Sequence, residues 1–175
     1  MDRRPARRRT AAAATVTAVL AAGTLALGAG VAGADARSTG QKHAKPMTKA
    51  QVLGLFDDWN TALQTGDPRK VADLYAKDAV LLPTVSNQVR TDRAEIVDYF
   101  EHFLQNKPHG TKVESVVNVL DRDTVIDTGV YEFALTDHET GEKSTVKARY
   151  TYAYEKQPNG KWLIVNHHSS KMPQG

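Results

Sequence analysis

From Thr48 onward the apolar positions recur at helical spacing. Val52, Leu55, Phe56, Trp59 and Leu63 share one face of a segment that Thr48 and Gln51 open as a capping box. The pattern predicts a helix from about Lys49 to Thr65, stopped by Gly66. Asp67-Pro68 supplies an N-cap and a proline at the first helical position of a second helix, with Val71, Leu74 and Tyr75 turned inward. The run from Ala79 to Pro83 reads as a short strand, and Asp92 with Glu95 caps a third helix whose buried side carries Ile96, Tyr99, Phe100, Phe103 and Leu104. From Gly110 the periodicity changes from that of a helix to strict alternation. Four segments rich in Val, Ile, Thr and Tyr follow, separated by the turn chemistry of DRD, HETGE and QPNG. Three helices and then a strand meander predict an α+β fold, with the helices on one face of a curved, mainly antiparallel sheet.

The N-terminus follows a different logic. Five arginines lie within MDRRPARRRT, ahead of an Ala- and Gly-rich apolar run that closes on small residues. This is the anatomy of a secretory signal over residues 1–34, with cleavage after Ala34 or Ala36; a polar linker over 35–47 then precedes a single domain at 48–175. A retained membrane anchor is the alternative, although Ala and Gly insert weakly, and the Arg-Arg pairs also admit twin-arginine export. Removing the leader changes the charge argument. The full chain carries +3, but residues 35–175 hold 18 Lys+Arg against 19 Asp+Glu, a net charge of −1. The basic excess therefore belongs to the leader, and a nucleic-acid partner loses its electrostatic support. With no cysteine in the chain, disulfides, thiolate metal sites and cysteine nucleophiles are excluded.

Five blocks carry a family likeness: W-x3-L-x2-GDP from Trp59 to Pro68, LYAKDAVLLPT from Leu74, DYFEHFLQNKP from Asp98, RYTYAYE from Arg149, and GKWLIVNHHSS-x-MP from Gly160. Together they resemble the nuclear-transport-factor-2-like superfamily, the cone-shaped fold of ketosteroid isomerase and SnoaL-type cyclases. Within it they resemble the SgcJ/EcaC-type group related to the association domain of calcium/calmodulin-dependent protein kinase II. The resemblance implies self-association as a homodimer or higher homo-oligomer and a ligand pocket inside the cone. It does not bring a mechanism with it. Where the isomerases place a proton-abstracting carboxylate, this chain has Leu81 and Leu82; where hub domains place arginines, it has Ala134, Tyr152 and Ser169.

The last strand ends in paired histidines and serines. Alternation puts His167 and His168 on opposite faces, which argues against a metal site, and no cofactor is expected. A hairpin turning through Asn159-Gly160, or through the four residues from Gln157 to Gly160, groups Arg149, Trp162, Ile164, Asn166 and His168 on one face. It groups Tyr150, Tyr152 and Tyr154 with Leu163, Val165 and His167 on the other. The first face, with Trp59 and Tyr75 from the helices, is expected to line a pocket for a small anionic or carbonyl-bearing molecule. The tyrosine stripe is expected to form the dimer contact. Three functions follow: a secreted non-catalytic module that binds a small ligand and self-associates; an acid–base enzyme (cyclase, isomerase or SgcJ/EcaC-type oxidoreductase) using His168 as base and Arg149 to polarise a carbonyl; or a partner-binding protein with a vestigial pocket.

Overall fold

In the computed structural model residues 45–174 are described; the expected leader, its cleavage point and residues 35–44 of the expected linker lie outside them. Helix α1 (Lys49–Gln64) opens on the capping box: Thr48 Oγ1 accepts from the Gln51 N–H, and Gln51 Oε1 accepts from the Thr48 N–H at 2.9 Å. Helix α2 (Pro68–Ala72) follows the Asp67 cap and is short. Strand β1 (Tyr75–Leu82) begins four residues ahead of the expected strand, so Tyr75 belongs to the sheet rather than to α2. Sheet pairing overrides the helical pattern there, because the Leu74 carbonyl accepts from Ile164 N–H at 2.9 Å. Helix α3 (Arg93–Phe103) starts at the Asp92 cap and runs into a 3₁₀ turn at Leu104–Asn106. Strands β2 (His109–Val119), β3 (Thr124–Thr136), β4 (Lys143–Lys156) and β5 (Trp162–Lys171) complete the chain.

The five strands lie in the order β1-β5-β4-β3-β2. All neighbours are antiparallel except β1 and β5, which run parallel. The helices cover one face. Val52, Phe56, Trp59 and Leu63 of α1, with Ile96 and Phe100 of α3, meet a wall of Tyr131, Phe133, Tyr150, Tyr152 and Tyr154 from β3 and β4. Trp59 sits at the centre, with its ring 5.7 Å from Tyr152, 6.1 Å from Phe133 and 6.3 Å from Phe100. Edge-on and offset geometries of this kind suit the quadrupoles of aromatic rings.

The β4–β5 hairpin departs from the expected register in a compensated way. Lys156 pairs with Trp162, leaving an odd five-residue connection from Gln157 to Lys161. A bulge between Ala153 and Tyr154 then shifts the pairing by one, so Tyr154 faces Ile164 while Ala153 faces Asn166. Beyond the bulge the expected pairing returns: Thr151 faces His168 and Tyr152 faces His167. Trp162 and Ile164 therefore lie on the tyrosine face, not on the Arg149 face, and Ile164 is buried in the core.

The two sheet faces are also exchanged relative to expectation. Tyr150, Tyr152 and Tyr154 are each no more than 2% exposed and point into the cone, so they are not an exposed dimer contact. Arg149 and His168 are exposed on the opposite face, with Asn166 half-buried beside them. The physical reason lies in the helices, which bring several large rings to the sheet. The face able to pack against those rings is the one that carries the tyrosines.

Candidate functional site

Three groups of polar side chains are embedded in the aromatic interior. The first begins on α1. Trp59 Nε1–H donates to the Tyr75 hydroxyl at 3.1 Å, and that hydroxyl lies 2.9 Å from His167 Nδ1. An indole can only donate, so the Tyr75 hydroxyl accepts from Trp59, and the one acceptor within reach of its own proton is His167 Nδ1 when that nitrogen is unprotonated. The tautomer that satisfies the Tyr75 proton carries its own proton on Nε2, and that nitrogen is buried without a partner. Burial, aided by the neighbouring His168, lowers the His167 pKa to about 3. The ring is clamped in place, stacked on Tyr152 at 4.0 Å and meeting the Trp59 edge at 5.5 Å.

The second group surrounds Ser169. Tyr131 donates its hydroxyl to Ser169 Oγ at 2.5 Å, and Thr84 Oγ1 bonds the same oxygen. Burial raises the Tyr131 phenol to about 12, so it remains a donor at any ordinary pH. His167 and Ser169 both line a narrow cleft whose other walls include Trp59, Leu81, Tyr99 and Phe133. Its free interior is about 30 Å³, room for roughly two waters or the tip of a small molecule. The rings fill most of the cone.

The third group lies on β2, β3 and β4. Ser115 Oγ is 2.6 Å from the Tyr150 hydroxyl, which is 3.2 Å from Asp127 Oδ1. Asp127 is fully buried and its Oδ2 has no partner. Desolvation raises its pKa to about 6, against the lowering effect of the Tyr150 hydrogen bond and of Lys112 and Lys49.

Of the residues expected in the pocket, Trp59 lines the cleft and Tyr75 stands behind His167, while Trp162 sits half-buried against the core. Arg149, Asn166 and His168 lie on the outer face, where Arg149 and His168 border a shallow groove with Glu114, Thr128, Thr151 and Ser170. His168 and Arg149 are thus removed from any chemistry inside the cone. On the neighbouring strand β3, Glu132 lies 3.8 Å from Lys147, and Asp127 is on the inner side of the sheet. The sequence reading passed over His167, Ser169 and Tyr131. The parity that groups His167 with Tyr152 was available, and what it lacked was the knowledge of which face the helices cover. Among the described residues, no cluster of three or more His, Asp or Glu is placed to hold a metal ion, and no helix is long and apolar enough to cross a membrane.

Comparison with known proteins gives this geometry its family. The model of the calcium/calmodulin-dependent protein kinase II association domain matches residues 48–173. The chain belongs to that family. A solved structure described as this association domain, from Xanthomonas campestris, is 54% identical over 76% of this chain and 99% of its own, with a TM-score of 0.70. More distant likenesses show the shared fold alone. A nuclear transport factor 2-like superfamily protein from Salmonella enterica is 13% identical over 71% of this chain and 91% of its own, with a TM-score of 0.63. A ketosteroid isomerase-like protein from Erwinia carotovora is 17% identical over 71% and 96%, with a TM-score of 0.60. A search of curated proteins returned no match. These distant likenesses show that the helix-covered sheet described above has the fold of nuclear transport factor 2-like proteins.

Proposed function

We propose that this association domain is an exported, non-catalytic module that holds a small apolar molecule bearing a hydrogen-bond acceptor at the tip of its cone. The observation that carries this reading is the His167 Nε2–H, a donor whose orientation is set by Trp59 and Tyr75 and which the protein leaves without an acceptor. A buried donor left unsatisfied costs about 1–3 kcal/mol, and a ligand carbonyl or ether oxygen would recover that cost. Acid–base catalysis is disfavoured by the same residue. An imidazole whose pKa is near 3 is a weak base at neutral pH, and none of the residues lining the cleft is acidic. Native mass spectrometry of the exported protein is the test. The expected spectrum shows a mature mass starting after Ala34 or Ala36 and a small-molecule adduct that disappears in His167→Phe, which keeps the ring and removes the donor. A protein bare of adducts, and indifferent to added aromatic alcohols or acids in titration, would remove the ligand reading.

A second reading, self-association, is supported by the bare side of the sheet. Ile126, Thr128, Thr151, Ala153 and Asn166 form a half-buried patch across β3, β4 and β5, and none of the helix-borne rings that contact the sheet touches it among the described residues. In a two-fold dimer the same patch of each subunit would meet its copy. The subunit count in the same native spectrum tests it, and a monomer at micromolar concentration rules it out.

A further inference from the structure

On the bare side of the sheet the strand register sets out rungs of outward-facing residues. Glu114 of β2 pairs with Val130 of β3, which pairs with Arg149 of β4. The next two rungs read Val116, Thr128, Thr151 and Asn118, Ile126, Ala153. Two opposite charges, Glu114 and Arg149, therefore stand on either side of Val130, two strand spacings or about 10 Å apart at the backbone. Both residues are exposed and border one shallow groove, yet neither side chain makes an ion pair or a hydrogen bond among the described residues. The adjoining rung differs, since Glu132 there lies 3.8 Å from Lys147.

What two copies of this face present to one another depends on the axis that relates them. An axis along β4 sets Arg149 against its own copy, and an axis along β2 does the same to Glu114. Like charges brought together in this way oppose association. An axis along β3 instead exchanges the β2 and β4 sides. Arg149 of each subunit then meets Glu114 of the other, twice per dimer, while Val130, Thr128 and Ile126 meet their own copies. The same rotation lays Val116, 51% exposed in the single chain, against Thr151 of the second copy, and Asn118 against Ala153. The strands of the two sheets then run in the same direction, the aligned mode of face-to-face sheet packing.

Resting on the reading of the domain as self-associating, we propose that a second copy of this chain docks on the bare face about a two-fold axis along β3, with its register set by reciprocal Arg149–Glu114 pairs. The planar guanidinium fork suits a carboxylate with two parallel hydrogen bonds. Both charges lose water on docking, so the pairs select the register more than they add affinity. The β-branched residues on and beside the axis supply the apolar contact between them.

The experiment is light scattering over a concentration series of the exported protein, for wild type, Arg149→Glu, Glu114→Arg and an equimolar mixture of the two variants, with circular dichroism to confirm each fold. Each variant alone is expected to associate at least about tenfold more weakly than wild type, because both of its contacts bring like charges together. The mixture is expected to recover a dimer with one subunit of each kind, to within about threefold of wild-type affinity, since both contacts again join opposite charges. A charge pair confined to one chain cannot be rescued by mixing. If either single variant does not fold, Arg149→Glu combined with Glu114→Arg in one chain takes the place of the mixture and is expected to associate like wild type. A folded single variant that associates as wild type does, or an exchange that restores nothing, overturns the proposed register and leaves self-association standing on other contacts. Wild-type protein that is monomeric at micromolar concentration overturns the self-association reading itself, and the inference with it.

Discussion

Asp127 is a carboxyl group kept inside an aromatic core, with one oxygen bonded to Tyr150 and the other unpartnered. Four groups act on it: the Tyr150 hydroxyl from β4, Lys112 from β2, and Lys49 and Asp57 from α1. Its folded pKa is raised from 3.8 to about 6, so the protonated form favours folding. That contribution is fully present below the unfolded value of 3.8 and is lost as pH rises through about 6. A shift of this size corresponds to about 3 kcal/mol at most. Asp127→Asn mimics the protonated group at every pH. Relative to wild type it is therefore expected to gain about 2–3 kcal/mol between pH 4 and pH 8, read from urea midpoints at the two pH values. His167 titrates in the opposite sense. Its depressed pKa supplies stability above about 6.5 that is lost as pH falls toward 3, but that contribution is common to both proteins and cancels in the difference. A pH-independent gap between Asp127→Asn and wild type would show that the carboxyl is not desolvated in the folded state. None of this was legible from the residue alone: beside Gly129, Asp127 reads as a turn or bulge residue, and its burial follows only from the sheet face on which it falls.

Gly129 illustrates what an element demands of a residue. The bulge in β2 between Lys112 and Glu114 brings the Glu114 carbonyl so close that a Cβ at position 129 would stand 1.9 Å from its oxygen. The obstruction is backbone, so no side chain can move aside to relieve it. Gly129→Ala is expected to cost at least about 2 kcal/mol, seen as a lower thermal midpoint, and to loosen the Ser115–Tyr150 contact that the same bulge sets up. An unchanged midpoint would mean that β2 and β3 separate here without penalty. At this scale the sequence was largely readable. The capping box at Thr48, the Asp92 cap, the Asp67-Pro68 start and the alternation after Gly110 all mark real elements, because each rests on local chemistry. The readings that failed depended on events distant in the chain. Tyr75 was taken into the sheet by a partner strand some ninety residues later, and Trp162 and Ile164 changed face because an odd connection and a bulge offset one another.

For the whole molecule, the sequence reading put the Arg149 and His168 side of the sheet inside, and the structure puts the tyrosine side there. Period-2 patterns give two faces without ranking them, and both here mix polar with apolar residues. The demand of the helices for ring-to-ring packing decides it, and turns Arg149 and His168 outward. The proposed association surface moves accordingly to the side those residues occupy. A lysine at its centre, Thr151→Lys, faces Thr128 and His168 across the neighbouring strands and should leave the cone untouched. It is expected to convert the assembly to monomers in light scattering, with the fold retained by circular dichroism. An assembly unaffected by that charge would place the contact elsewhere.

The position of β5 has a consequence for how the chain is put together. Although it follows the other four strands in the chain, β5 is not at a margin; it is wedged between β4 and β1, and it supplies both His167 and Ser169. Until the ten residues of β5 are in place, β1 has no ladder neighbour apart from the single bridge at Arg90, and the Tyr75 hydroxyl has no imidazole beside it. Without that segment the domain would thus lose a wall of its cleft along with the pairing of β1, so the cleft and the closure of the sheet are completed in one step.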